Sequence, residues 1–256
     1  MKLTQFSIKT KNGITVNGEY EGNVNSKKVV IFSHGFGVTR NSHGMFVEIG
    51  DLLKNNFIVV RFDYSIVNKE ENWTKVYPYS IQVEMLKAVH SFVCNNFPPN
   101  EINIIASSMG CLITGLAMLP KIKKILLLVG PINSPYQNVI DYFSKRPETI
   151  INEKSTSIIK RSDGSITYVE SDFWKEMKDI KPINLYKELI KNSEITFIRA
   201  TSDQIIKDTN YDEIKNINGL KYIEIAGDHD FGGSAREDLL NIIQVELTMI
   251  NSHNPK

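Results

Sequence analysis

The sequence predicts an α/β fold built on a mostly parallel central sheet. Several short segments are apolar on both faces, as strands covered by helices on both sides require, and 28–33, 57–62 and 125–129 are examples. Between them lie stretches with apolar residues at helical spacing, such as 45–53. With 256 residues, 41% of them hydrophobic, the chain is long enough for one sizeable core.

The remaining elements follow from the same patterns. Residues 6–10 and 14–16 alternate polar and apolar side chains around the turn dipeptide Asn12-Gly13, which predicts a hairpin. The further predicted elements are a helix over 81–93, a strand at 102–105, a helix over 111–119, strands at 195–200 and 222–225, and a final helix over 239–250.

One region interrupts the alternation of strands and helices. We predict residues 1–256 to form a single domain with a cap or lid insertion at about 131–191, lying over the ends of the strands. Two readings of the insertion remain open, a mobile lid and a long connection with helices of its own. Its aromatic pair Phe173-Trp174, with Met177 and Trp73, either lines an apolar pocket or anchors the insertion on the body.

Composition excludes several classes of function. The net charge of +1, from 30 basic and 29 acidic residues, gives no electrostatic footprint for nucleic acid or an anionic membrane. No apolar run approaches the roughly 18 residues that a membrane span needs, and the N-terminal residues have no signal-peptide core, so we expect a cytoplasmic protein. Cys94 and Cys111 lack metal-ligand spacing and are expected to be small buried side chains. We therefore predict no metal and no cofactor.

Residues Ala106-Ser107-Ser108-Met109-Gly110 join the strand at 102–105 to the helix that follows. Small side chains two residues before and two after Ser108 allow a sharp turn that lifts its Oγ above the end of the sheet. Centring the turn on Ser107 would place large residues at both of those positions. Ser108 is therefore the candidate nucleophile, provided that a base and oxyanion donors lie nearby.

A glycine-rich segment, His34-Gly35-Phe36-Gly37, directly follows the buried strand at 28–33. The glycines free the backbone to direct the Phe36 N–H toward the end of the sheet. Together with the Met109 N–H, which is at the start of a helix, it would form a two-donor oxyanion hole. The alternative is an ordinary glycine-rich turn between a strand and a helix.

The candidate acid and base follow the last two predicted strands. Asp203 comes just after the strand at 195–200, and His229 comes after the strand at 222–225. An acid in that loop can orient a histidine and stabilise the imidazolium that forms during catalysis. Asp208 and Asp212 lie close to Asp203 in the sequence and are the rival acids.

The other histidines fit the role of base less well. His34 belongs to the predicted oxyanion loop, and His43 is expected to start a helix. His90 is expected to lie within a helix, and His253 lies in the C-terminal tail. His229 remains the candidate because it follows the serine and the acid in chain order.

Together these motifs resemble the α/β-hydrolase superfamily, and within it the small serine esterases with an HGF oxyanion loop, such as feruloyl and cinnamoyl esterases, and the related serine aminopeptidase-like hydrolases. The resemblance implies an α/β-hydrolase fold, with Ser108 as nucleophile, His229 as base and Asp203 as acid. It also implies that Phe36 and Met109 supply the oxyanion N–H groups.

The resemblance runs from about Lys28 to the last helix and is weakest in the insertion. The turn begins with Ala106 where many members have glycine. After Phe62-Asp63-Tyr64 the chain has Ser65-Ile66-Val67-Asn68 instead of the G-x-G-x-S stretch of many such esterases.

The function expected is hydrolysis of a carboxylic ester of a small molecule through an acyl-enzyme. An acyl thioesterase or an acyltransferase would use the same three residues. A non-catalytic homologue that binds a ligand in the same pocket is the alternative from another class. The sequence gives no indication of the oligomeric state.

Overall fold

A computed structural model describes residues 2–207 and 210–248. Its strands, in chain order, are β1 (Thr4–Lys9), β2 (Thr15–Gly22), β3 (Lys28–Ser33), β4 (Ile58–Phe62), β5 (Ser65–Asn68), β6 (Trp73–Val76), β7 (Glu101–Ser107), β8 (Ile122–Leu128), β9 (Ser157–Lys160), β10 (Ile166–Val169), β11 (Glu194–Ala200) and β12 (Leu220–Ile225). Its helices are α1 (Met45–Leu53), α2 (Tyr79–Asn96), α3 (Met109–Ala117), α4 (Tyr136–Ser144), α5 (Ser171–Lys178), α6 (Pro182–Leu189), α7 (Asp212–Lys215) and α8 (Ser234–Thr248).

Eight strands form the central sheet in the order β1-β2-β4-β3-β7-β8-β11-β12. The hairpin β1–β2 is antiparallel and so is the β2–β4 pair, whereas every pair from β4 to β12 is parallel. The predicted mostly parallel sheet is therefore confirmed. Because the carboxyl ends of the parallel strands meet at one edge, the loops after β3, β7, β11 and β12 converge there.

Both faces of the inner strands β3, β4 and β7 are buried, which explains why these strands are almost continuously apolar. In β3, Val29 and Ile31 pack into one hydrophobic cluster with α2 and α3, while Val30 and Phe32 pack into a second cluster with α1 and α8. Successive side chains of a strand point to opposite faces, so burial on both faces requires an apolar residue at every position.

A second, four-stranded sheet in the order β5-β6-β10-β9 was not predicted. Two of its strands come from residues 65–76, and the other two form a hairpin within the predicted insertion. Strands β6 and β10 pair in parallel, with Trp73 opposite Ile166. The cap thus combines two distant parts of the chain, and residues 131–191 make up only part of it.

The aromatic pair of the insertion anchors it on the body. Phe173 and Trp174 are fully buried in the cluster that also holds the β3 residues Val29 and Ile31. Trp174 Nε1–H donates a hydrogen bond of 2.9 Å to Ser157 Oγ in β9. The single-domain division stays a prediction, supported by this shared core. Within residues 2–207 and 210–248, no helix is long and apolar enough to cross a membrane.

Candidate active site

Ser108 occupies the turn between β7 and α3. Its backbone has φ 54° and ψ −120°, a conformation that costs a non-glycine residue about 1–3 kcal/mol and is typical of functional sites. The Ser108 N–H donates to the Leu128 carbonyl at 2.9 Å, and Ser108 O accepts from the Cys111 N–H at 3.0 Å. These bonds hold the strained turn between β8 and the first turn of α3.

Gly110 allows α3 to start directly against β3. A Cβ at this position would lie 2.0 Å from Ser33 O and 2.8 Å from His34 O, closer than real carbon atoms come. The close approach of α3 to β3 therefore explains why a small residue is needed two positions after Ser108. The helix that carries the Met109 N–H is in this way fixed next to the loop that carries Phe36.

The predicted oxyanion loop lies against Ser108. A methyl group built on Gly35 would be 3.2 Å from Ser108 Cβ and 3.7 Å from its Oγ. Within the described residues, neither the Phe36 N–H nor the Met109 N–H donates to a protein acceptor. Both residues line the same cavity as Ser108, so both amides remain available to a ligand.

His34 is a structural residue of this loop. Its Nε2 accepts a hydrogen bond from the Tyr64 N–H at 2.9 Å, which leaves the proton on Nδ1, 2.9 Å from Gly35 O. Burial lowers the pKa of His34, although the nearby Asp63 carboxylate acts in the opposite direction. A neutral His34 thus joins the oxyanion loop to the loop after β4.

A buried hydroxyl pair supports the same region. Ser33 Oγ donates to Gly110 O at 3.0 Å, so the Tyr64 hydroxyl, 2.8 Å away, donates to Ser33 Oγ. Burial raises the pKa of Tyr64, which keeps that phenol protonated. This role of Ser33 and Tyr64 could not be predicted from the sequence, because the residues that they connect are far apart in the chain.

Asp203 and His229 form a hydrogen-bonded pair. Asp203 Oδ2 lies 2.7 Å from His229 Nδ1, and the side chains are only 5% and 14% exposed. Asp203 Oδ1 accepts the N–H groups of Ile205 and Ile206 at 2.8 and 2.9 Å, which fixes the carboxylate. A carboxylate only accepts, so Nδ1 of His229 carries the proton and Nε2 of the neutral ring is a proton acceptor.

Ser108 and His229 line one cavity, but no hydrogen bond within the described part of the chain joins Ser108 Oγ to the His229 ring. Hydrogen bonds between catalytic groups are often long in unliganded enzymes and tighten when substrate binds. Ser108, Phe36, Met109 and His229 thus line the same cavity, and Asp203 is connected to it through its hydrogen bond to His229.

Of the rival acids and histidines that the structure describes, one lines the cavity. Asp212 is exposed in α7, His90 lies within α2 as expected, and Asp208 and His253 lie outside the described residues. His43 is the exception, since it lines the cavity. It lies in a short 3-10 turn at Ser42–Gly44, just before α1, instead of starting the helix itself.

The cavity has a volume of about 340 Å³ and a mixed lining. The 131–191 region supplies much of the wall, including Pro135, Val139, Tyr142, Phe143, Arg146 and Met177. The four candidate pocket side chains were Trp73, Phe173, Trp174 and Met177. Of these, only Met177 lines the cavity. No group of three or more metal-binding side chains occurs in the residues that the structure describes.

Several solved structures are similar to this chain over almost its whole length. The esterase domain of a Rhodothermus marinus protein aligns with a TM-score of 0.70 and 14% identity, covering 96% of each chain. Est1E from Butyrivibrio proteoclasticus aligns with a TM-score of 0.71 and 14% identity, over 95% of this chain and 97% of that one. The Pyrococcus furiosus esterase Pf2001 aligns with a TM-score of 0.67 and 19% identity, over 94% and 88%.

No protein-family model and no curated protein sequence matches the chain. At these low identities, the likeness to solved structures concerns the fold. The strand order, the sharp turn after β7 and these neighbours agree with the predicted architecture. The chain has the α/β-hydrolase fold, which it shares with these esterases.

Proposed function

We propose that this protein is a serine hydrolase that cleaves carboxylic esters of small molecules, with Ser108 as nucleophile, His229 as base and Asp203 as acid. The observation that carries the proposal is the 2.7 Å Asp203–His229 hydrogen bond beside the cavity that Ser108 lines from its strained turn. A strained turn and a partly buried, oriented histidine at one cavity are features of catalytic sites.

In the proposed reaction, His229 Nε2 takes the Ser108 proton as Oγ attacks the ester carbonyl carbon. The tetrahedral oxyanion accepts hydrogen bonds from the Phe36 and Met109 amides, while Asp203 stabilises the imidazolium. His229 then protonates the leaving alcohol. Water attacks the acyl-enzyme by the same steps, which releases the acid and restores Ser108.

The cavity supports a substrate of modest size. A volume of about 340 Å³ lies at the small end of ligand sites, and the 131–191 region closes one side. One of the similar structures is described as Est1E with ferulic acid bound. Esters with short or single-ring acyl groups are therefore the first to test. The thioesterase and acyltransferase alternatives and the cytoplasmic location stay predictions.

The test is turnover of p-nitrophenyl esters of graded chain length, hydroxycinnamate esters and acyl-CoA thioesters by the wild-type protein and Ser108→Ala. We expect short esters to be hydrolysed. Ser108→Ala should lose nearly all turnover, with about 10³–10⁴-fold acceleration over water left from the oxyanion donors and binding.

The exposed Ser155 offers a matched serine-to-alanine control outside the cavity, and Ser155→Ala should retain wild-type turnover. Hydrolysis by the Ser108→Ala protein at the wild-type rate would refute the proposed nucleophile. A wild-type protein that binds these esters without cleaving any of them would favour the non-catalytic alternative.

A further inference from the structure

Two arginines line the cavity that holds Ser108. Arg146 follows α4, Arg161 follows β9, and both side chains are only partly exposed. Within residues 2–207 and 210–248, neither guanidinium lies within 4 Å of a carboxylate oxygen. Two positive charges without an ion-pair partner in one cavity of mixed lining are unusual, because arginines that are shielded from water are normally paired.

The surroundings of Arg161 leave a donor unused. Its guanidinium carbon lies 5.4 Å from the centre of the Phe143 ring. Its Nη1 is buried and has no hydrogen-bond partner in the described chain, and the same is true of Thr167 Oγ1. A Cβ built on Gly37 would lie 3.2 Å from that Nη1 and 3.4 Å from that Oγ1, so the two orphaned groups flank the same glycine.

Arg146 differs in that it already has acceptors. Its Nη1 donates to Lys160 O at 3.3 Å and its Nη2 to the Tyr142 hydroxyl at 3.1 Å. These bonds and the Tyr142 and Phe143 rings hold it in place. Burial lowers the pKa of Arg161, and the charge of Arg146 acts in the same direction. An arginine nevertheless stays charged, so an incoming anion is the natural partner.

Two carboxylates also line the cavity, and they do not occupy the arginine donors. Asp163 Oδ1 accepts the N–H and the hydroxyl of Ser165 within its own turn. Asp230 is exposed. Both weaken the positive field around Arg161. Neither accepts a hydrogen bond from Nη1, which has no partner within the described chain, so the guanidinium keeps unused hydrogen-bonding capacity.

We propose that Arg161, with Arg146 beside it, binds a carboxylate of the substrate, so that the preferred substrates are esters bearing a negative charge. The inference deepens the proposed function and rests on it. The planar guanidinium fork matches a carboxylate in geometry as well as charge.

The oxyanion loop connects the proposed anion site to the reacting atoms. A Cβ built on Gly35 would lie 3.7 Å from Ser108 Oγ, and one built on Gly37 would lie 3.2 Å from Arg161 Nη1. Because the two glycines are only two residues apart, one substrate molecule can reach both groups, as a monoester of a dicarboxylic acid would.

The test compares matched charged and neutral esters. In the first pair, monoethyl glutarate and ethyl pentanoate, the charged ester has its carboxylate on the acyl side. In the second pair, 4-butanoyloxybenzoate and 4-butanoyloxybenzamide, the charged ester has its carboxylate on the alcohol side. We expect one charged ester to exceed its neutral partner at least about tenfold in kcat/KM, as a charge-assisted hydrogen bond provides. Arg161→Gln should bring that ratio to about one, and Arg161→Lys should keep part of it.

The exposed Lys145, next to Arg146 in the chain, offers the matched control, since Lys145→Gln removes a nearby charge outside the cavity and should preserve the ratio. If the protein cleaves the neutral esters and neither charged ester has a higher kcat/KM than its neutral partner, the inference is overturned, while the proposed function stands. A preference that survives Arg161→Gln would also overturn it.

A binding measurement separates this inference from the proposed hydrolysis. Ser108→Ala keeps the cavity, so calorimetry with monoethyl glutarate and with 4-butanoyloxybenzoate measures binding without turnover. We expect the double variant Ser108→Ala/Arg161→Gln to bind one of these two esters at least about tenfold more weakly than Ser108→Ala. Equal affinities of the two variants for both esters would overturn the anion site whether or not the wild-type protein hydrolyses esters.

Discussion

The histidine ring has two nitrogens, and His229 and His34 use them differently. His229 gives Nδ1–H to Asp203 and keeps Nε2 for the cavity. His34 uses both nitrogens within the protein, one toward Gly35 and the other toward Tyr64. Hydrogen-bond partners therefore distinguish a candidate base from a structural residue, although both histidines lie in loops that follow strands of the central sheet.

Asp203 orients His229, and we expect Asp203→Asn to lower kcat for a good ester substrate by about 10⁴-fold. An asparagine has the same shape, but its amide donates, so the ring would turn to its other tautomer and lose the free Nε2 acceptor. Steady-state kinetics measures the change. Asp212→Asn, in the exposed α7, is the matched control and should behave as wild type. Comparable losses in both variants would contradict the assignment of the acid.

His34 makes stability depend on pH. Its pKa is lowered in the folded protein, so below the ordinary histidine value of 6.5 the unfolded chain binds a proton that the folded chain resists. Stability from this residue is thus present above pH 6.5 and is lost as the pH falls from there toward the folded pKa. We expect the gap in unfolding free energy between wild type and His34→Gln, measured in urea, to shrink over that range. A gap independent of pH would show that His34 is not held neutral.

The turn between β7 and α3 could be predicted because its requirements are local. Ser108 needs small neighbours at 106 and 110, and the sequence shows them. The pairing of β6 with β10 could not be predicted, because each has four residues and they meet from positions about 90 apart. Short strands of mixed polarity carry no periodic signal, and only the folded chain brings them together.

Gly110→Ala tests how closely α3 and β3 must approach. The new Cβ would meet the Ser33 carbonyl oxygen at 2.0 Å, so the backbone must shift, and we expect a loss of about 3 kcal/mol in the free energy of unfolding. Gly50→Ala in α1 is the control, since its Cβ would meet only side-chain atoms, of which the nearest is Val59 Cγ1 at 3.3 Å, and should change stability by less than about 1 kcal/mol. Equal effects of the two changes in urea unfolding would contradict this account.

The cap and the body of the molecule share one hydrophobic cluster. Phe173 and Trp174 of the insertion and Ile159 of the second sheet pack in the same cluster as Val29 and Ile104 of the central sheet. Separate domains meet at a boundary with few contacts. The described residues of the cap and the central sheet have no such boundary, because they share this cluster. The sequence predicts one domain only from the chain length and the alternation of strands and helices. The shared cluster supports that prediction with a physical reason.

This shared core predicts a single unfolding transition. The chain has two tryptophans, Trp73 in β6 and Trp174 in α5, so fluorescence reports on the cap, while far-ultraviolet circular dichroism reports on the whole fold. We expect the two signals to change together in urea because the cap cannot lose its packing independently of the central sheet. Fluorescence that changes at a clearly lower urea concentration would show that the cap unfolds on its own.

The proposal that Ser108 is an activated nucleophile is tested most directly by a fluorophosphonate, which reacts only with a serine that a neighbouring base has activated. We expect one adduct per chain. Mass spectrometry should locate it on the peptide that contains Ser107 and Ser108. The adduct should disappear in Ser108→Ala and persist in Ser107→Ala. An unlabelled wild-type protein, or labelling that survives Ser108→Ala, would contradict it.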